Sequence, residues 1–172
     1  RVARVHTVVD YGRALQHSRE PLATLKDYKG RFSPEGSCRG LLYFVRRTEG
    51  RAWILNPFTR RRGSGLYKSP TASSASNLPS CDAYGLGFDD VSGVYKLVRV
   101  LAWGPYLDAE PADGGTFWAE VHVLGTESWR PVGGAPQSLL WGSSVFAGGA
   151  VHWVDGSFRA SPRDVVFFDV RR

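Results

Sequence analysis

Trp53-Ile54-Leu55-Asn56-Pro57-Phe58-Thr59-Arg60 is a short run of large apolar residues that stops at an Asn-Pro turn opener. The pattern returns in Glu120-Val121-His122-Val123-Leu124-Gly125-Thr126-Glu127-Ser128-Trp129-Arg130, and Val165-Val166-Phe167-Phe168-Asp169-Val170 repeats the β-branched and aromatic run. A repeated strand and turn unit predicts an architecture that stacks or fans similar sheets, and such architectures present binding surfaces. The residues therefore point toward a recognition module rather than an enzyme.

On either side of these units the alternation has period two, and no segment longer than about ten residues keeps apolar positions at helical spacing. Strands are predicted at Leu41 to Arg46, Arg51 to Leu55, Tyr84 to Asp89, Val94 to Trp103, Thr116 to Leu124, Trp129 to Val132, Ser144 to Ala147, Ala150 to Val154 and Val165 to Val170. Turn residues join them: Thr48-Glu49-Gly50, Asp89-Asp90-Val91-Ser92-Gly93, Gly148-Gly149 and Asp155-Gly156. Many short strands with tight turns exclude a parallel α/β sheet and leave a sandwich, barrel or propeller. Gly63 to Ser80 and Gly104 to Gly115, rich in small residues, Pro and Gly, read as long loops. Within the first 35 residues, Val5 to Asp10 reads as a strand and Leu22 to Tyr28 as a weak helix or irregular link.

The 172 residues are 42% hydrophobic and 13% aromatic, enough to fill a core. No apolar stretch approaches the roughly 20 residues that span a bilayer, and the first residues lack the apolar centre of a secretory signal. A cytoplasmic or nuclear protein is expected, without a membrane partner. The absence of Met, at the start and elsewhere, suggests an excised segment. Cys38 and Cys81 lack zinc or redox spacing, so two free thiols are expected, with a single bridge left open. The net charge of +6 is uneven: residues 1–68 carry 15 Lys or Arg against 5 Asp or Glu, and residues 69–172 carry 7 against 11. The basic residues are spread singly apart from Arg60-Arg61-Arg62, a pattern of solvated turns, so nucleic acid is not the expected partner.

Gly36-Ser37-Cys38-Arg39-Gly40-Leu41-Leu42, Asn56-Pro57-Phe58-Thr59-Arg60, Tyr84-Gly85-Leu86-Gly87-Phe88-Asp89, Tyr95-Lys96-Leu97-Val98-Arg99, Val121-His122-Val123-Leu124 with Trp129-Arg130, and Val145-Phe146-Ala147-Gly148-Gly149-Ala150-Val151-His152-Trp153 follow one another in an order and spacing that resembles the plant F-box-associated domain. That family usually carries Asn where Arg39 stands and Ser where Phe58 stands. The resemblance implies a kelch-like β-propeller segment, all-β, here a partial ring of about three blade-like antiparallel sheets. It implies residues 36–172 as the propeller domain, incomplete at its C-terminus, and residues 1–35 as a linker or first strand leading from an F-box that this chain does not contain. It further implies the substrate-recognition module of a Skp-cullin-F-box ubiquitin ligase. The partners would be a target protein and, through the F-box, a Skp-type adaptor and a cullin.

The motif residues themselves read as structural. Gly36 and Gly40 permit a tight entry into the Leu41 strand, and the Gly85-x-Gly87 pair lacks the third glycine and the helix of a dinucleotide site. Asn56 is expected to cap preceding carbonyls, and Asp89 and Asp90 to accept turn amides rather than hold a metal. The carboxylates Asp108, Glu110 and Asp113 read as a solvated loop. His122 and His152 sit within strand patterns without catalytic context. Trp53, Trp118, Trp129 and Trp153 are expected between sheets, each with its indole N–H on a carbonyl. No catalytic residue, cofactor or metal site is assigned. The candidate partner-binding residues are Arg60, Arg61, Arg62, Trp103, Tyr106 and Trp141. Two alternatives stay open: a carbohydrate-binding propeller using a row of Trp103, Tyr106 and Trp141, and an enzyme in which His122 or His152 meets a carboxylate in a central pocket.

Overall fold

The computed structural model describes residues 2–5, 8–10, 15–17, 23–26, 33–46, 50–59, 67–68, 81–103, 116–132, 140–155 and 164–171, with side chains for 34–46, 50–59, 83–101, 119–132, 143–154 and 164–171. Among the described residues every regular element is a strand, and every strand pairing is antiparallel. Near the N-terminus β1 (Val2–Val5) pairs with β4 (Ala23–Lys26), and β2 (Val8–Asp10) with β3 (Leu15–His17). The first large sheet is β5 (Ser33–Cys38), β6 (Leu41–Arg46), β7 (Arg51–Leu55) and β8 (Tyr67–Lys68). The middle sheet is β9 (Cys81–Asp89), β10 (Val94–Trp103), β11 (Thr116–Val123) and β12 (Trp129–Val132). The third is β13 (Leu140–Ala147), β14 (Ala150–Asp155) and β15 (Val165–Asp169).

Each large sheet is an up-and-down meander in sequence order, and the first strands β5, β9 and β13 pack against one another at the centre. Sheets that radiate from their first strands make a partial β-propeller. The alternation of side chains then assigns each face. Tyr84, Leu86 and Leu97 of the middle sheet join Cys38, Tyr43, Val45, Ala52 and Ile54 of the first sheet in one core. Ala83, Val98, Val100, Ala119 and Val121, on the opposite face, join Val151, Trp153 and Val170 of the third sheet in another. Burial on both faces is why β10 reads Leu97-Val98-Arg99-Val100-Leu101 rather than apolar and polar in turn.

Gly85 and Gly87 set the spacing of the middle and third sheets. A Cβ on Gly85 would overlap Val151 Cγ1 and stand 2.7 Å from Trp153 Cζ2, and one on Gly87 would overlap Val170 Cγ1. This Gly-x-Gly therefore gives close sheet approach.

Four expectations need correction. Leu22 to Tyr28 contains a strand, β4, not a helix, because its partner β1 lies about 20 residues upstream, beyond any local signal. Val5 to Asp10 contains the end of β1 and all of β2 rather than one strand. The Gly63 to Ser80 stretch contributes β8, paired with Arg51 and Ala52. Gly36 lies within a strand, β5, rather than at the entry to one; a Cβ there would stand 2.8 Å from Tyr43 Cε1.

Candidate functional site

At the centre, Tyr43 ties the three sheets together. Its hydroxyl lies 3.2 Å from the carbonyls of Glu35 and Tyr84 and 2.8 Å from Ser144 Oγ, so β5, β9 and β13 meet at one buried oxygen. Trp153 Nε1 donates to the same Tyr84 carbonyl at 3.0 Å. Buried polar groups that are mutually satisfied hold a unique register. The hub is a structural lock, and exposed side chains lie on the turns at the ends of the strands.

Because β5, β9 and β13 run in one direction, their hairpin turns share one end of the molecule. That end carries Arg39-Gly40, Asn56 to Thr59, Asp89 to Gly93, Leu124 to Ser128, Gly148-Gly149 and Val170-Arg171. Arg39 and Gly40 have φ of 43° and 83°, Gly148 and Gly149 of 59° and 83°, so both two-residue turns have the twist that suits a hairpin. Arg39 is the one non-glycine residue with positive φ among the described residues. Its guanidinium lies 4.2 Å from the centroid of the Phe88 ring, its carbonyl accepts from Tyr95 Oη at 3.2 Å, and Phe88 and Tyr95 meet edge to face at 4.8 Å.

The acidic turn is wired into this end. Asp89 Oδ1 accepts the amides of Val91 and Ser92 at 3.0 and 3.2 Å, and Oδ2 accepts from Ser92 Oγ at 2.5 Å and Lys96 Nζ at 3.0 Å. The Ser92 and Lys96 hydrogen bonds hold the carboxyl of Asp89 well below the usual carboxylate range. Lys96 also donates to the Val170 carbonyl at 2.6 Å, fastening the chain after β15 to the middle sheet. Arg171 donates to both oxygens of Asp90, at 3.0 and 3.2 Å, and that pair lowers the Asp90 pKa and raises that of Arg171. Asn56 Oδ1 accepts the amides of Phe58 and Thr59 at 3.0 and 3.2 Å, so it serves the residues ahead of it and not the preceding carbonyls that the sequence predicts it to cap.

On this anchored end two large apolar side chains face water: Phe58, 72% exposed, and Val91, 83% exposed. The nearest side-chain atom to a Cβ built on Gly40 is Phe58 Cε2, at 4.0 Å, which places Phe58 beside the Arg39 turn. Exposed apolar groups set among Arg39, Asp90 and Arg171 form a surface suited to protein contact.

The sequence candidates fall at two different ends. Arg60, Arg61 and Arg62 lie outside the described residues, directly after the Asn56 to Thr59 turn. Trp103 ends β10 and Trp141 is the second residue of β13, both at the end opposite the hairpin tips; their side chains, and all of Tyr106, lie outside what is described. Phe58 and Val91 were not among the candidates. The one signal for Phe58 was its departure from the Ser usual in the resembling family.

Among the described side chains His122 is structural. His122 is buried, its Nδ1 lies 3.1 Å from the Ser128 carbonyl, its ring stands 5.2 Å from that of Trp129, and burial lowers its pKa. Trp153 lies between sheets as expected; Trp53 instead lies half-buried on the far face of the first sheet under Arg46, and the side chain of Trp118 lies outside the described residues. Cys38 is a buried free thiol, its pKa pushed up to about 11 by that burial. Among the described residues no cluster of His, Cys, Asp or Glu is placed to hold a metal ion, and no helix is long and apolar enough to cross a membrane.

The chain belongs to the F-box associated beta propeller domain family, whose model matches residues 10–172. It is 32% identical over 119 residues to F-box protein CPR1 of Arabidopsis thaliana, a match covering 59% of this chain and 27% of that protein. It is 30% identical over 100 residues to the putative 12-oxophytodienoate reductase 11 of Oryza sativa subsp. japonica, covering 49% of this chain and 27% of that protein. The matches thus span about a quarter of each of these curated relatives. No solved structure matches.

Proposed function

We propose that this chain is the target-recognition region of a substrate receptor in a Skp-cullin-F-box ubiquitin ligase, and that it grips its target protein with the hairpin-tip end of the propeller. The observation that carries the reading is the pair of water-facing apolar side chains, Phe58 and Val91, on turns whose backbones are fixed by Asn56 and Asp89. Apolar anchors on a preorganised frame lose little entropy on binding, which is the pattern of interface hot spots. Arg60, Arg61 and Arg62 follow Phe58 and Thr59 in sequence and would supply charge at the rim. This region performs no chemistry itself; ubiquitin transfer belongs to subunits recruited by an F-box, with a Skp-type adaptor and a cullin as the partners. Trp103, Tyr106 and Trp141 are the candidates at the opposite end.

The test is affinity capture of the full-length protein under proteasome inhibition, in wild type, Phe58→Asp, Val91→Asp and Trp141→Ala forms. The expected result is recovery of adaptor and cullin by all four, with one further protein lost from the two tip variants alone. Loss in Trp141→Ala alone would move the contact to the opposite end. Failure of the wild type to recover adaptor and cullin would remove the ligase reading.

A further inference from the structure

The first and third sheets open on the same hairpin. Cys38 pairs with Leu41 across Arg39-Gly40, and Ala147 pairs with Ala150 across Gly148-Gly149, with positive φ at both central residues each time. Glycine takes that backbone without strain, whereas any other residue brings a Cβ too close to the following carbonyl. The third sheet uses glycine at both positions. The first sheet instead places an arginine at φ 43°. A residue kept against its backbone preference points to a use for its side chain that the turn alone does not require.

The surroundings of Arg39 show what that use is. The residue is exposed, its guanidinium lies 4.2 Å from the Phe88 ring centroid, and Tyr95 Oη donates to its carbonyl at 3.2 Å. An aromatic face holds a guanidinium through its π cloud and occupies none of the five N–H donors. Among the described residues the ion pairs at this end are Lys96 with Asp89 and Arg171 with Asp90, and Arg39 belongs to neither. The exposed Phe58 stands beside the same turn, its Cε2 4.0 Å from a Cβ built on Gly40. A held guanidinium next to a water-facing phenyl group matches one chemistry, an anion that neighbours an apolar group.

We infer that Arg39 is a specificity-determining residue of the recognition surface, and that its guanidinium takes the carboxylate of an Asp or Glu adjoining, in the target polypeptide, the apolar residue that covers Phe58. The inference rests on the hairpin-tip end being the target-binding surface. Arg39 and Phe58 both fall in the stretch 1–68, where 15 Lys or Arg face 5 Asp or Glu, so the wider field also favours an anionic segment. A carboxylate suits the site better than a phosphate. Asp89 and Asp90 follow Phe88 on the adjoining turn, and they repel a doubly charged group more strongly than a singly charged one. Because Phe88 already holds the guanidinium, little side-chain entropy is lost when the carboxylate arrives.

The test probes the immobilised full-length protein, in wild type, Arg39→Gly and Phe58→Asp forms, with degenerate synthetic peptides. Each peptide has a central Phe, Leu or Ser and carries Asp, Glu, Gln, Lys or phosphoserine at the neighbouring positions in turn. Wild type should favour an apolar centre and, beside it, prefer Asp or Glu over Gln by about 3- to 10-fold. Arg39→Gly should lose the acidic preference and keep the apolar one, with an unfolding midpoint within about 3 °C of wild type, since glycine suits the turn. An apolar preference without an acidic one in wild type, or an acidic preference that survives Arg39→Gly, overturns the inference and leaves the tip surface standing. Tighter binding of phosphoserine than of Asp or Glu overturns the carboxylate as occupant. Phe58→Asp binding the same peptides as wild type, or no apolar preference in wild type, overturns the tip surface itself and this inference with it.

Discussion

Replacing Gly85 with Ala adds one methyl group where two sheets meet, and its cost follows from what that methyl would touch. The added Cβ would overlap Val151 Cγ1 and lie 2.7 Å from Trp153 Cζ2 and 3.0 Å from Ser144 Oγ. None of the three is free to withdraw: Val151 and Trp153 are buried core residues, and the Trp153 indole is held on the Tyr84 carbonyl. Overpacking of a filled core costs about 1–3 kcal/mol, which for a chain of this size lowers the unfolding midpoint by roughly 2–4 °C per kcal/mol. Gly85→Ala should therefore unfold about 2–12 °C below the wild type in a thermal melt followed by circular dichroism. Val151→Ala opens a cavity and destabilises on its own. Combined with Gly85→Ala it also makes room, so the double variant should be at least about 0.5 kcal/mol more stable than the two losses predict. A Gly85→Ala cost below about 0.5 kcal/mol, or strict additivity with Val151→Ala, would refute the close approach of middle and third sheets.

Arg99 and Glu120 form a buried ion pair at 3.3 Å, so Glu120→Ala should cost about 3–5 kcal/mol in urea unfolding, while the paired Arg99→Met, Glu120→Leu change should be far milder. Tyr43→Phe removes the oxygen shared by β5, β9 and β13 and should cost about 1–3 kcal/mol by the same measurement. Burial raises the Cys38 thiol from 9.0 to about 11, so its contribution is intact below pH 9 and is lost as pH rises toward 11; Cys38→Ala should flatten the alkaline fall in unfolding midpoint. Asp89 runs the other way. Its depressed pKa means its contribution is present above the usual carboxylate value and lost as pH falls through the lower folded-state value, so Asp89→Asn should flatten the acid side of the stability profile.

Alternation located β6, β7, β10 and β12 with their observed bounds, because each carries β-branched or aromatic residues between clear turn signals. β5 was hidden: Ser33-Pro34-Glu35-Gly36-Ser37-Cys38 has neither alternation nor β-propensity, and its ladder shifts register between Pro34 and Gly36. What makes it a strand is the Tyr43 ring lying over Gly36, a contact between strands that no window on one strand contains. Gly85 and Gly87 were legible as glycines with a structural role, but the reason for them sits about 65 to 85 residues downstream, in Val151 and Trp153 for Gly85 and Val170 for Gly87. Arg99 opposite Glu120 is likewise a consequence of register, invisible until β10 and β11 are paired. At the candidate site the turns were readable from Asn56-Pro57 and from Asp89 to Gly93, yet exposure of Phe58 and Val91 was not, since an apolar residue in a turn gives no sign of what packs beside it.

Under the proposed function, the same division would let such a surface change partner without changing fold. The tips are fixed from behind, by Asn56 on the Phe58 and Thr59 amides, by Asp89 on those of Val91 and Ser92, and by Lys96 on the Val170 carbonyl. None of these bonds involves the side chain of Phe58 or Val91, so residue type at those positions is decoupled from stability. Phe58 puts a large, 72% exposed apolar side chain at the tip. Its full burial against a partner would stabilise a complex by about 1.5–3 kcal/mol, or roughly 10- to 150-fold in affinity. A Phe58→Ser form should therefore keep its unfolding midpoint while losing affinity of that order for its target. A shift of the midpoint instead would place Phe58 in the core of the domain and remove it from the recognition surface.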